Sequence, residues 1–121
     1  MIKGIGIDIC CISRLRKALK NPRFSERVYS SEELQYVLDR GGSPRHLASS
    51  FAAKEAFAKA GGWGIGRVGL RNVWLSRGDR GPTLCFSERA RFLAESIGAK
   101  NAYVSVSHEG DFAIAVVILE G

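Results

Sequence analysis

The sequence predicts an α+β protein: a single small domain in which a mostly antiparallel sheet packs against a long central helix. Three observations predict it. Residues 45–60 form an alanine-rich run with almost no β-branched side chains, which favours helix on propensity alone. Residues 2–9 and 102–108 alternate between two kinds of side chain at the period of a strand. Short turns, Gly78-Asp79-Arg80-Gly81 and Glu109-Gly110-Asp111, separate neighbouring strand-like segments, and such close connections favour antiparallel pairing.

In chain order, Ile5, Ile7 and Ile9 alternate with Gly4, Gly6 and Asp8. This predicts a strand with one apolar face and one bare face that ends in a carboxylate and lets a ligand or another chain approach closely. Ser13 is the expected N-cap of a short basic helix over 14–20, which Asn21-Pro22 would stop. A further helical turn is expected near 25–29. Ser30 or Ser31 should cap a helix carrying Leu34, Val37 and Leu38, with Glu32 and Glu33 at its positive end. After the loop 40–44 comes the central helix, and Gly61 or Gly62 should supply its left-handed C-cap. Gly64, Gly66 and Gly69 match the spacing GxGxxG, yet they follow a helix rather than a strand, so the dinucleotide fingerprint is rejected. Segments 72–77 and 82–86 read as a hairpin. A helix capped by Ser87 should run to Ile97, with Phe92 and Leu93 facing the core. Residues 112–119 are nearly all apolar and read as a strand buried on both faces.

The 121 residues fit one domain, 1–121, able to bury a core. No apolar run reaches the length of a membrane span, and the N-terminus lacks the pattern of a secretory signal. The expectation is a cytoplasmic protein with no membrane partner. Cys10, Cys11 and Cys85 follow neither a disulfide framework nor a zinc spacing, so they are expected as small, partly buried thiols. The net charge is +6, and Arg14, Arg16, Lys17, Lys20, Arg23 and Arg27 crowd into fourteen residues with Glu26 as their only acid. A local basic patch calls for an acidic partner: nucleic acid, a phosphorylated ligand or an acidic protein. With only Phe24 and Tyr29 nearby for stacking, single-stranded nucleic acid fits poorly.

Within the central helix Glu55 and Lys59 stand four apart, on the face shared by Ala48 and Ala52. Asp8 and Glu55 are two hard oxygen donors of the kind magnesium takes together with water and phosphate oxygens. Lys59 would meet a phosphate as a point charge, and His108, ending its strand at a turn, could donate to a phosphate or hydroxyl. The combination suits magnesium-assisted chemistry on a phosphorylated ligand, with the substrate left open.

Four segments resemble the holo-[acyl-carrier-protein] synthase family of bacterial 4′-phosphopantetheinyl transferases. They are Gly4-Ile5-Gly6-Ile7-Asp8-Ile9, Arg23-Phe24-Ser25-Glu26-Arg27, the central Phe51-Ala52-Ala53-Lys54-Glu55-Ala56-Phe57-Ala58-Lys59-Ala60, and Val104-Ser105-Val106-Ser107-His108. The hairpin's Gly81-Pro82 adds to the match. The resemblance implies that family's fold and transfer of 4′-phosphopantetheine from coenzyme A to a serine of apo acyl carrier protein in fatty acid synthesis, releasing adenosine 3′,5′-bisphosphate. It implies Mg2+ held by Asp8 and Glu55, with Glu55 and Lys59 catalytic. Coenzyme A would be bound by Lys59, Gly62, Gly64, Pro82 and His108, and the carrier by Arg14, Arg23 and Arg27. Either Glu55 or a metal-bound water would take the serine proton. The implied assembly is a homotrimer with each site between subunits, and nucleic acid is not an expected partner.

Three positions depart from the family pattern. Ser50 stands where an arginine is usual, Trp63 where threonine is common, and Cys11 where an acid often occurs. Arg45 and Arg67 are the candidates to replace the lost nucleotide contacts. Two alternatives accompany the main reading: a basic nucleic-acid-binding module, and a catalytically weak homologue.

Overall fold

A computed structural model describes Met1–Gly121. Five strands and six α-helices follow in the order β1 (Ile2–Cys11), α1 (Ile12–Ala18), α2 (Pro22–Val28), α3 (Ser31–Leu38), α4 (Pro44–Gly61), α5 (Ile65–Val68), β2 (Val73–Gly78), β3 (Gly81–Phe86), α6 (Glu88–Ser96), β4 (Asn101–Glu109) and β5 (Phe112–Glu120), with a 3-10 turn over Leu70–Asn72 before β2. Every strand pair is antiparallel. One sheet has the order β1-β5-β4, and β2 and β3 form a separate hairpin. No helix is long and apolar enough to cross a membrane.

Helix α4 is the spine of the core. Leu47, Ala48, Ala52, Ala53, Ala56, Phe57, Ala58 and Ala60 are all buried along it. Ser43 caps its start by accepting from the Arg45 N–H at 3.3 Å, with Pro44 at the first helical position. Gly62, at φ 73°, ends it in the left-handed conformation.

The glycines of β1 explain the alanines of α4. A Cβ on Gly4 would stand 1.8 Å from the Ala60 carbonyl oxygen, and one on Gly6 2.0 Å from that of Ala56. Strand and helix thus touch backbone to backbone, a separation that larger residues on either side would prevent. The bare faces expected to receive a ligand or another chain are therefore spent on each other. The isoleucines are what the fold leaves open: Ile5, Ile7 and Ile9 are each about 60% exposed.

Other expectations need correcting. Strand β5 is fully buried on one face only, through Ala113, Ala115, Val117 and Leu119, whereas Ile114, Val116 and Ile118 on its other face are half-covered. In α6, Leu93 is buried as expected but Phe92 is 64% exposed. Ser13 does not cap α1; the helix begins two residues earlier than expected, at Ile12, and Ser13 bonds to Asp111 instead. Asn21-Pro22 stops α1 but also starts α2, the Asn21 side chain accepting from the Arg23 N–H at 3.0 Å. Ser30 and Glu33 form a reciprocal capping box on α3.

Glu33 has a second task. Its Oε1 pairs at 2.6 Å with the Lys54 ammonium, both side chains being almost fully buried. Lys54 also donates to the carbonyls of Leu70 and Val73. One cation thereby ties α4 to α3, to the 3-10 turn and to β2.

Candidate active site

Asp8 and Glu55 meet where β1 runs along α4. Asp8 lies just beyond the glycine contact, on the same face of the strand, with its side chain 10% exposed. Lys59, one turn after Glu55, donates to Asp8 Oδ1 at 2.8 Å and to the Ile7 carbonyl at 3.2 Å. Partial burial, the Asp8 charge and a hydrogen bond to Asp8 push the Glu55 carboxyl up to about 7. The Asp8 hydrogen bond and charge also raise the Lys59 ammonium above its ordinary value. Two carboxyl groups this close hold one proton between them near neutrality, because both ionised forms together repel. Their neighbour Cys10 is pushed up to about 11 by burial and then by the Asp8 and Glu55 charges, so its thiol stays neutral.

A pair of converging carboxyl groups that retains a proton is a donor set suited to a hard cation, which would displace that proton. No third His, Cys, Asp or Glu completes a metal-binding cluster. Asp8 and Glu55 could thus supply two ligands, leaving the rest to water and to oxygens of a phosphorylated ligand.

The other expected site residues fall into two sets. Gly62 and Gly64 follow α4 directly, on the Lys59 side. Neither has an atom within 4 Å of a would-be Cβ, so their backbone borders open space. His108 is elsewhere. It lies on β4, separated from β1 by β5, and its Nε2 is 3.4 Å from the carbonyl of Arg45 in the first turn of α4. Ten residues of helix separate Arg45 from Glu55, about 15 Å along the axis. Pro82 joins this distant set: it pairs with Arg77, whose guanidinium donates to Ser49 Oγ at 2.7 Å and to the His46 carbonyl. Within one chain Asp8, Glu55, Lys59, Gly62 and Gly64 thus lie in one group, and His108, Pro82 and Arg45 in another near the start of α4.

Arg14, Arg23 and Arg27 are exposed on α1 and α2, and none is in an ion pair; the protein has only two, Lys54–Glu33 and Lys59–Asp8. Beside Arg14 lies an apolar cleft of about 550 Å³, lined by Ile9, Leu15, Phe24, Phe51 and Phe112.

The three departures sit in different surroundings. Trp63 is 8% exposed and packs against Phe57 at a tilt of 44°, their ring centroids 5.2 Å apart, so it fills core rather than facing a nucleotide. Ser50 is buried in α4. Cys11 donates from its thiol to Asp111 Oδ2 at 3.2 Å. Of the two candidate replacements, Arg45 stands beside His108, whereas Arg67 lies in α5 with its carbonyl bound by Arg89.

Sequence reasoning missed Lys54, Glu33 and Asp111. For Lys54 a signal existed. It falls on the helical stripe of Leu47, Phe51 and Ala58, and a lysine within an apolar stripe calls for a buried partner.

The profile of the 4′-phosphopantetheinyl transferase superfamily matches residues 4–117, which makes the chain an enzyme of that class. The holo-[acyl-carrier-protein] synthase of Treponema denticola is 44% identical over 124 residues, spanning 100% of both chains. Among solved structures, that of the holo-[acyl-carrier-protein] synthase from Neisseria meningitidis superposes with a TM-score of 0.91 at 36% identity and full coverage of both chains. That of the Bacillus anthracis synthase in complex with CoA (3′,5′-ADP) gives 0.81 at 36% identity, covering 98% of this chain and 96% of that one. The chain belongs to the holo-[acyl-carrier-protein] synthase family.

Proposed function

We propose that this enzyme transfers 4′-phosphopantetheine from coenzyme A to a serine of apo acyl carrier protein, with Mg2+ held by Asp8 and Glu55, in support of fatty acid synthesis. The observation that carries this is the Asp8–Glu55–Lys59 cluster, set beside open glycine backbone in a chain of this family. The serine oxygen bonds to the β-phosphorus, and the bond from that phosphorus to the bridging oxygen breaks. The electron pair leaves with adenosine 3′,5′-bisphosphate. A bound Mg2+ would supply charge neutralisation of the pyrophosphate. Lys59, held by Asp8, presents its ammonium to the same oxygens. The serine proton goes to Glu55 or to a water beside it.

Arg14, Arg23 and Arg27 receive the carrier. Free of acidic partners at home, they suit an acidic surface, and the adjacent apolar cleft takes a hydrophobic side chain of a docked helix.

The proposed assembly is a homotrimer with each site between subunits. Two observations support it. Residues expected to act together stand about 15 Å apart within a chain, so a neighbouring copy has to bring His108, Pro82 and Arg45 to the carboxyl pair. The open isoleucine face of β1, continued by Ile114, Val116 and Ile118, is the apolar surface such an assembly would cover.

The test is direct. Incubation with apo carrier, coenzyme A and magnesium should raise the carrier's mass by one phosphopantetheine. Chelation and Glu55→Ala should each abolish the gain. An unmodified carrier, with salt-dependent nucleic-acid binding instead, would overturn the proposal.

A further inference from the structure

Helix α1 carries Arg14 but has little of its own to fix its start. It has seven residues, no acid in the first turn, and no side-chain bond from Cys11 at its N-cap position. So short a helix does not persist without outside contacts. Those contacts come from the far end of the chain. Asp111, in the turn between β4 and β5, accepts from the Ser13 N–H through Oδ1 at 3.1 Å. Its Oδ2 accepts from the Ser13 hydroxyl at 2.6 Å and from the Cys11 thiol at 3.2 Å. Its backbone carbonyl accepts from the Ile12 N–H at 2.8 Å. Four hydrogen bonds from three consecutive residues thus converge on one. The negative carboxylate also stands where the helix dipole favours it.

The geometry of α1 links this anchor to what the helix presents. Ile12 and Leu15 are buried, which fixes the inward face, while Arg14 points outward at the edge of the apolar cleft. Buried apolar contacts of two residues resist sliding poorly, whereas directional bonds at the first turn set the helix's rotation and height. We propose that Asp111 is a positioning residue for carrier recognition, holding α1 so that Arg14 stands over the cleft. This rests on the reading that α1 receives the carrier. The hydrogen bonds from Ser13 and Cys11 hold the Asp111 carboxyl below the usual carboxylate range, so the anchor is ionised at neutral pH.

The experiment is steady-state transfer to apo acyl carrier protein at saturating magnesium, varying carrier and coenzyme A in turn. Asp111→Ala should raise the KM for carrier about five- to tenfold, the usual weight of a lost helix cap. The kcat and the KM for coenzyme A should stay within about twofold, inside the usual scatter of a surface substitution. Asp111→Asn, which keeps one acceptor, and Ser13→Ala should fall between, and they carry the test if the alanine variant folds poorly. In an Arg14→Ala background the Asp111→Ala effect should shrink below about twofold, because nothing remains to position. An unmoved carrier KM, a full multiplicative effect in that background, or an equal change in the coenzyme A KM would each overturn the proposal. Absence of transfer by the unmodified protein would remove the functional reading and this one together. Transfer with an unmoved carrier KM removes this one alone.

Discussion

At the scale of single residues, Glu55 gives the protein a pH dependence whose sign follows from its environment. Burial and Asp8 raise its carboxyl from 4.5 to about 7 in the metal-free protein. A carboxyl raised on folding contributes stability that is full below pH 4.5 and is lost as the pH rises through 7. The melting temperature of metal-free wild type, minus that of Glu55→Gln, should therefore decline between those pH values and level off above them. A flat difference would show that the two carboxyl groups do not share a proton. Glu55 and Lys59 were legible as a pair from helical spacing, and Asp8 from its place at the end of an alternating strand. What spacing could not show was which side chain each small residue served. Alanine and glycine look the same in sequence whether they admit a ligand or another backbone, and here Gly4, Gly6, Ala56 and Ala60 admit each other.

At the scale of elements, the Lys54–Glu33 pair decides how firmly α4 is held. Both side chains are out of water, and Glu33 Oε2 already lacks a partner. Lys54→Met should cost about 3–5 kcal/mol, because a buried carboxylate left alone is far costlier than a missing attraction. Adding Glu33→Gln should recover part of the loss, and denaturant unfolding of the two variants checks both statements. Some element boundaries were readable from their local signals, as with the serine capping α3 and the glycine closing α4, whereas Ser43 and Pro44, read as loop, in fact open α4. The start of α1 was not, because its cap comes from Asp111, ninety-eight residues beyond Ser13. Local sequence carries no trace of such a partner. Phe92 and β5 failed for a related reason, since apolar character does not say which face the fold leaves open.

At the scale of the whole molecule, the proposed sharing of each site between two copies makes a sharp prediction. Glu55→Ala and His108→Ala, each inactive or nearly so alone, should regain activity when denatured together and refolded as a mixture. Random assortment into rings leaves about a quarter of the sites with both groups intact. Recovery near that level supports sites shared between copies. No recovery, with mixed assemblies verified by mass, would place all the residues of a site in one chain.

The isoleucine face of β1 also sets an order of events in refolding. A lone copy can complete its core, because β1 already has α4 and β5 as neighbours, and in the proposed assembly the isoleucines await only another copy. Fluorescence from Trp63, which packs against Phe57 within one chain, read in a Trp74→Phe background, should therefore recover at a rate independent of protein concentration. Catalysis should return later, after a lag that shortens as the solution is made more concentrated. The enzyme would then have a folded but silent stage, and in a dilute compartment its output would depend on how often finished copies collide.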